Sequence, residues 1–262
     1  MKLFYREFGQ GEPFLILHGL FGMSDNWLSI GRRLAQYFHV FLLDLRNHGQ
    51  SPHCDEMNYS NMAEDLFEFI TDHKLTKPVV LGHSMGGKVA MQFALSFTEM
   101  VSRLIVVDIV PRAYFHSHFK NFLEILLALD LKHFKTRMEI DRFLSKKIPQ
   151  AAIRQFLLKN LKRNENHQLE WKLNLPAIYR NLDQILAGVS AEKSFSGAAL
   201  FLKGERSDYI KQKDHAQIKK LFPGAQVRII QGATHWVHAD APDQLLNKVL
   251  NFIQRNGGQN DD

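Results

Sequence analysis

Six short apolar runs rich in β-branched residues recur along the chain: FLILHG (14–19), VFLLDL (40–45), PVVLGHS (78–84), RLIVVDIV (103–110), ALFLKGE (199–205) and AQVRIIQG (225–232). Continuous rather than alternating apolarity is what a strand needs when both faces of a parallel sheet are covered. Amphipathic stretches of helical length separate the runs, among them SDNWLSIGRRLAQYF, YSNMAEDLFEFITDHK and MGGKVAMQFALSF. In the last, Val89, Phe93 and Phe97 share one face at i, i+4 and i+8. This alternation predicts an α/β fold with a mostly parallel central sheet flanked by helices. The alternation stops at Pro111. From Arg112 to about Ser194 only helical patterns appear (HFKNFLEILLALDL, EIDRFLSKKI, AAIRQFLLKNL, PAIYRNLDQILAG), and strands resume at Ala199. A helical block between two strands of one sheet reads as an inserted cap. The expected organisation is therefore a core of residues 1–111 and 196–262 with a helical cap over 112–195, and a frayed tail at NGGQNDD.

A chain of 262 residues is long enough for one large α/β domain. No apolar run approaches the roughly 18–20 residues of a membrane span. The start, MKLFYREFGQGEPFLILHG, lacks the basic, apolar and small-residue regions of a signal peptide. The single cysteine, Cys54, lies in a polar loop, excludes an intramolecular disulfide and suits a reducing compartment, so a cytoplasmic location is expected. Charge sharpens the picture. Residues 112–195 carry 15 Lys/Arg against 8 Asp/Glu, while the remainder carries 18 against 19. The formal net charge of +6 is thus concentrated in the cap, where it would steer anionic ligands. No helix shows regular basic–aromatic interleaving, so no nucleic-acid partner is expected. The histidines form no convincing ligand set, His116 and His118 being expected on a cap helix's face, and neither metal nor cofactor is expected.

GHSMGG (82–87) matches G-x-S-x-G in the right context, after a strand-like PVVL and at the start of a helix. A serine in such a strand–turn–helix elbow is pushed out of the sheet, and Gly82 and Gly86 flank it because side chains there would collide. Ser84 is the expected nucleophile. Its base should follow late in the chain. In QGATHWVHADAP, His235 lies after the last strand, at the sheet's carboxyl end; His238, one helical turn on, is the rival and reads better as a supporting histidine. The acid has two candidates. Asp108 ends the run LIVVD at the same rim as Ser84, and Asp208 follows the next strand in KGERSDYI beside Glu205; strand-end placement favours Asp108. An oxyanion hole needs two N–H donors, expected from Met85 and from Leu20 in HGLFG, with Phe21 second. The His18 side chain is expected to organise that loop.

HGLFG, LDLRNHGQSPH, GHSMGGKVAM, VVDIVP, EWKLNLPAI and GATHWVHADAP together resemble the YbfF-type esterases of bacteria, members of the α/β-hydrolase superfamily, over positions 18–242. The resemblance implies Ser84 as nucleophile, His235 as base and Asp108 as acid, because that family takes the acid from the strand after the nucleophile. Asp208, filling the middle of S-x-Y, is left as a backup acid. The implied chemistry is hydrolysis of carboxylic esters or thioesters of short-to-medium apolar acyl groups through an acyl-enzyme. The expected partner is a small-molecule acyl ester or thioester, with acyl-CoA or an acyl-carrier protein drawn to the basic cap. Acyl-CoA or acyl-carrier-protein thioester cleavage as the main activity, carbon–carbon bond hydrolysis, and a ligand receptor on a hydrolase fold are the alternatives.

Overall fold

The computed structural model describes residues 1–115, 117–189 and 191–257. Its centre is a seven-stranded sheet in the order β1-β3-β2-β4-β5-β8-β9. In chain order the strands are β1 (Tyr5–Phe8), β2 (Pro13–Leu17), β3 (His39–Leu43), β4 (Val79–His83), β5 (Arg103–Val107), β8 (Ala198–Gly204) and β9 (Ala225–Ile230), with β6 (Leu161–Arg163) and β7 (Leu169–Trp171) outside the sheet. All six apolar runs are strands. Every pairing in the sheet is parallel except β1 with β3.

Successive strand residues alternate between two apolar layers, as the pleat demands. Phe14, Ile16, Leu42, Leu81, Ile105 and Leu202 enter one layer, together with Ile30 of α1 (Leu28–Leu34) and Val249 of the last helix described (Pro242–Gly257). Leu15, Leu17, Phe41, Val80, Val106 and Phe201 enter the other. There they meet Leu66 and Phe69 of α2 (Tyr59–Asp72) and Val89 and Phe93 of α3 (Met85–Ser96). The face expected of α3 is buried at Val89 and Phe93 and partly buried at Phe97.

Between the neighbouring strands β5 and β8 the chain leaves the sheet. This excursion holds α4 (Ser117–Leu127), α5 (Arg137–Leu144), α6 (Ala151–Leu158), α7 (Leu175–Arg180) and α8 (Leu182–Leu186). It is not wholly helical. Leu161–Arg163 and Leu169–Trp171 pair as an antiparallel hairpin, where a purely helical block was expected. Three-residue strands are too short to leave an apolar run, and the hairpin closes through polar groups: Asn164 N–H donates to the Gln168 carbonyl at 2.9 Å, and His167 takes a positive φ of 60°. The excursion is laced to the rest of the molecule. The Asn160 amide donates to the Phe21 carbonyl at 2.8 Å, Asn174 N–H donates to the Asn47 carbonyl at 3.0 Å, and the buried Tyr59 hydroxyl donates to the Ile185 carbonyl. His116 and the tail beyond Gly257 lie outside the described residues. Among the described residues, no helix is long and apolar enough to cross a membrane.

Candidate active site

Four carboxyl ends of parallel strands meet at one rim: Leu20 follows β2, Ser84 follows β4, Asp108 follows β5 and His235 follows β9. Loops at this edge are where sheets of this type collect reactive groups. Ser84 has φ 52° and ψ −118°, a strained backbone for a residue with a Cβ. It persists because β4 and α3 clamp it. Its N–H donates to the Val107 carbonyl at 3.0 Å, and its own carbonyl accepts from Lys88 N–H at 3.1 Å. A Cβ on Gly82 would stand 2.1 Å from the Gly86 carbonyl oxygen, and one on Gly86 would stand 2.4 Å from that of Leu17. Helix and strand could not approach this closely around larger residues.

The Ser84 hydroxyl is 3.0 Å from His235 Nε2, and His235 Nδ1 is 2.8 Å from Asp108 Oδ2. A carboxylate only accepts, so Nδ1 carries the proton and Nε2 is free to receive one from Ser84. Asp108 is fully buried with φ 52°. Its Oδ1 accepts from Gly204 N–H at 2.9 Å, and its Oδ2 also accepts from the Ser207 hydroxyl. These donors hold the carboxylate in one orientation. The Tyr209 ring stacks on His235 with centroids 3.8 Å apart and 13° between planes, and His83 Nε2 donates to the His235 carbonyl at 2.8 Å. The imidazole is therefore fixed on its face and through its backbone.

Asp208, the second acid candidate, is 98% exposed and lies 3.9 Å from Lys211. The reason is the turn of this loop, which points Ser207 inward to Asp108 and sends its neighbour into solvent. Ser207 opens the S-x-Y pattern noted in the sequence, but the pattern carried no role for it; the inward hydroxyl depends on where the turn after β8 falls. Glu205 accepts from Gly232 N–H at 2.8 Å. His238 stacks on Trp27 at 4.6 Å and makes no bond to Ser84.

The loop after β2 is built on two neutral histidines. His18 Nδ1 donates to the Gly19 carbonyl at 2.8 Å while its Nε2 accepts from Leu45 N–H at 2.9 Å. His48 Nδ1 donates to the Arg46 carbonyl at 2.9 Å while its Nε2 accepts from Phe21 N–H at 3.2 Å. That bond occupies Phe21, the second oxyanion candidate. The Leu20 N–H has no acceptor among the described residues, and Met85 opens α3 with one of the unpaired donors of a helix N-terminus. LRNHGQS thus acts as scaffold. Arg46 binds both Asp65 oxygens at 2.7 and 2.8 Å, and Asp44 accepts from Ser24 N–H at 2.6 Å and Gln50 N–H at 2.8 Å.

A cavity of about 570 Å³ opens above Ser84 and His235, walled by Trp27, Phe119, Phe122, Ile148, Ile153, Phe156 and Trp236 with His118 and His238 among its polar groups. Most of its apolar wall comes from the excursion between β5 and β8. His118 lines this cavity from α4. No cluster of metal-binding side chains occurs among the described residues.

Burial makes protonation of the supporting histidines unfavourable. It lowers His18 to about 4, His48 to about 3 and His238 to about 4, and it takes His83 well below its usual value. Each binds a proton more readily in the unfolded chain, so its contribution to stability is complete above pH 6.5 and is lost as pH falls toward 4. Urea unfolding at pH 7.5, 6 and 5 should show stability nearly level above pH 6.5 and, below it, falling by about 1.4 kcal/mol per pH unit for each histidine that titrates only when unfolded. Equal stability at pH 7.5 and 5 would contradict this.

Residues 12–137 match the family model described as the alpha/beta hydrolase fold. The chain is 38% identical to the sn-1-specific diacylglycerol lipase ABHD11 of Danio rerio over 253 residues, covering 94% of this chain and 80% of that protein. It is 30% identical to esterase YbfF of Escherichia coli, covering 92% and 93%. Among solved structures, a marine microorganism esterase superposes with a TM-score of 0.94 at 45% identity, covering 96% of this chain and 99% of that one.

Proposed function

Because the chain belongs to the α/β-hydrolase family, we propose that it is a serine-dependent carboxylic ester hydrolase, with Ser84 as nucleophile, His235 as general base and acid, and Asp108 as the orienting carboxylate. The hydrogen-bonded line from Ser84 Oγ through His235 to Asp108 carries this reading. A serine hydroxyl is a weak nucleophile until a neighbour takes its proton. Here Ser84 Oγ attacks the ester carbonyl as its proton passes to His235 Nε2. The buried Asp108 carboxylate stabilises the resulting imidazolium. The Leu20 and Met85 amides receive the oxyanion. His235 then protonates the departing alcohol, and the same imidazole activates the water that releases the acid.

Residues 112–195 serve as a cap on the core of 1–111 and 196–262. The apolar walls around Ser84 favour esters of apolar acyl groups of short to medium length. Esterase and lipase relatives support ester cleavage in general. The charge of residues 112–195, net +7, favours a second reading in which thioesters with phosphate-bearing leaving groups, such as acyl-CoA, are also substrates.

Wild-type protein should hydrolyse p-nitrophenyl acetate or butyrate, and Ser84→Ala should lose at least about 10³-fold in kcat/KM. Undiminished turnover in the variant would refute the serine mechanism. For the second reading, kcat/KM for acetyl-CoA should fall steeply between 50 and 300 mM salt while that for a neutral ester stays level. Equal salt dependence would remove the role of the basic segment.

A further inference from the structure

Two chambers meet at Ser84, and they differ greatly in size. The cavity of about 570 Å³ includes His235 in its wall. Sharing Ser84 and Phe119 with it is a recess of about 30 Å³, walled further by Met85, Tyr59, Lys88, Ile109 and Ile185, to which His235 does not contribute. We propose that the small recess holds the acyl group and the large cavity holds the leaving group, so that the enzyme selects acetyl and propionyl esters of bulky alcohols or thiols. This rests on the esterase reading above and specifies the substrate class of the same site.

The chemistry of the tetrahedral adduct assigns the chambers. Its carbon carries four groups: Ser84 Oγ, the oxyanion, the leaving oxygen and the acyl chain. The oxyanion goes to the Leu20 and Met85 amides. The leaving oxygen must take a proton from His235 Nε2 as its bond to carbon breaks, so it lies on the side that His235 lines. The acyl chain is left with the side that His235 does not line. Water then adds to the acyl-enzyme, gives its proton to His235 and releases the short acid and free Ser84.

The recess sets the length. A space of 10–15 Å³ already admits one water-sized group, so about 30 Å³ takes a one- or two-carbon chain. Its walls resist expansion. Tyr59, Ile109 and Ile185 are 6%, 3% and 4% exposed, and the Tyr59 hydroxyl binds the Ile185 carbonyl. Lys88, 2% exposed, donates from Nζ to the Leu186 carbonyl at 3.4 Å and to that of Ala187, fixing the end of α8 against α3. A longer chain would have to displace packed core groups.

The test is kcat/KM for p-nitrophenyl acetate, propionate, butyrate and hexanoate, with phenyl and 2-naphthyl acetate as probes of the leaving-group side. Expected is a fall of at least tenfold from acetate to hexanoate, with 2-naphthyl acetate within about threefold of phenyl acetate. Ile185→Ala, and Ile109→Ala as a second enlargement, should each raise the hexanoate-to-acetate ratio at least tenfold; thermal unfolding identifies whichever variant is folded. A flat or rising chain-length profile in an active wild type overturns the chamber assignment alone, as does an unchanged ratio in a folded variant. Absence of turnover with every ester overturns the esterase reading and this inference with it.

Discussion

The left-handed backbone of Ser84 is the constraint on which the rest of the molecule depends. A non-glycine residue at φ 52° and ψ −118° stays there only if its neighbours leave no alternative. They do so through contact: α3 lies so close to β2 and β4 that no side chain fits at Gly82 or Gly86. That closeness lifts the serine hydroxyl to the rim and sets the Met85 amide beside it. The apolar layers on both sheet faces supply the force that holds helix to strand, and Val89 and Phe93 anchor α3 in one of them.

Polar groups around this elbow are arranged to leave few degrees of freedom. Asp108 is positioned by Gly204 and Ser207, and His235 by Asp108, Tyr209 and His83. His18 and His48 act as neutral spacers, each donating on one nitrogen and accepting on the other. Fixing the dipoles before substrate arrives is what allows an oxyanion to be stabilised without reorganisation. The excursion between β5 and β8 is tied to the same loops, through Asn160 to Phe21 and Asn174 to Asn47. Its cavity wall and the loop after β2 are thereby held in one register.

Much of this was legible in the residues, and the exceptions have physical causes. Strands buried on both faces leave continuous apolar runs, so β2, β3, β4, β5, β8 and β9 were all visible. β1 was not, because YREF lies at the antiparallel edge, partly exposed, and carries no such run. The β6–β7 hairpin escaped because three residues per strand are too few to show a period. Ser84, His235 and Asp108 stood out because glycine spacing and strand ends mark them. Ser207 and the outward Asp208 could not be told apart, since one residue of register in a turn decides which side chain faces Asp108. Lys88 read as part of an ordinary helix, and its burial against Leu186 and Ala187 depends on where the excursion returns.

The central claim is that Ser84 alone bears the acyl group. Incubation with a fluorophosphonate, which traps a serine activated by an adjacent base, followed by intact-mass and peptide analysis, tests it most directly. One adduct per chain on the peptide containing Ser84, absent from Ser84→Ala, is the expected result. An adduct on another residue, or none on wild-type protein, would contradict it.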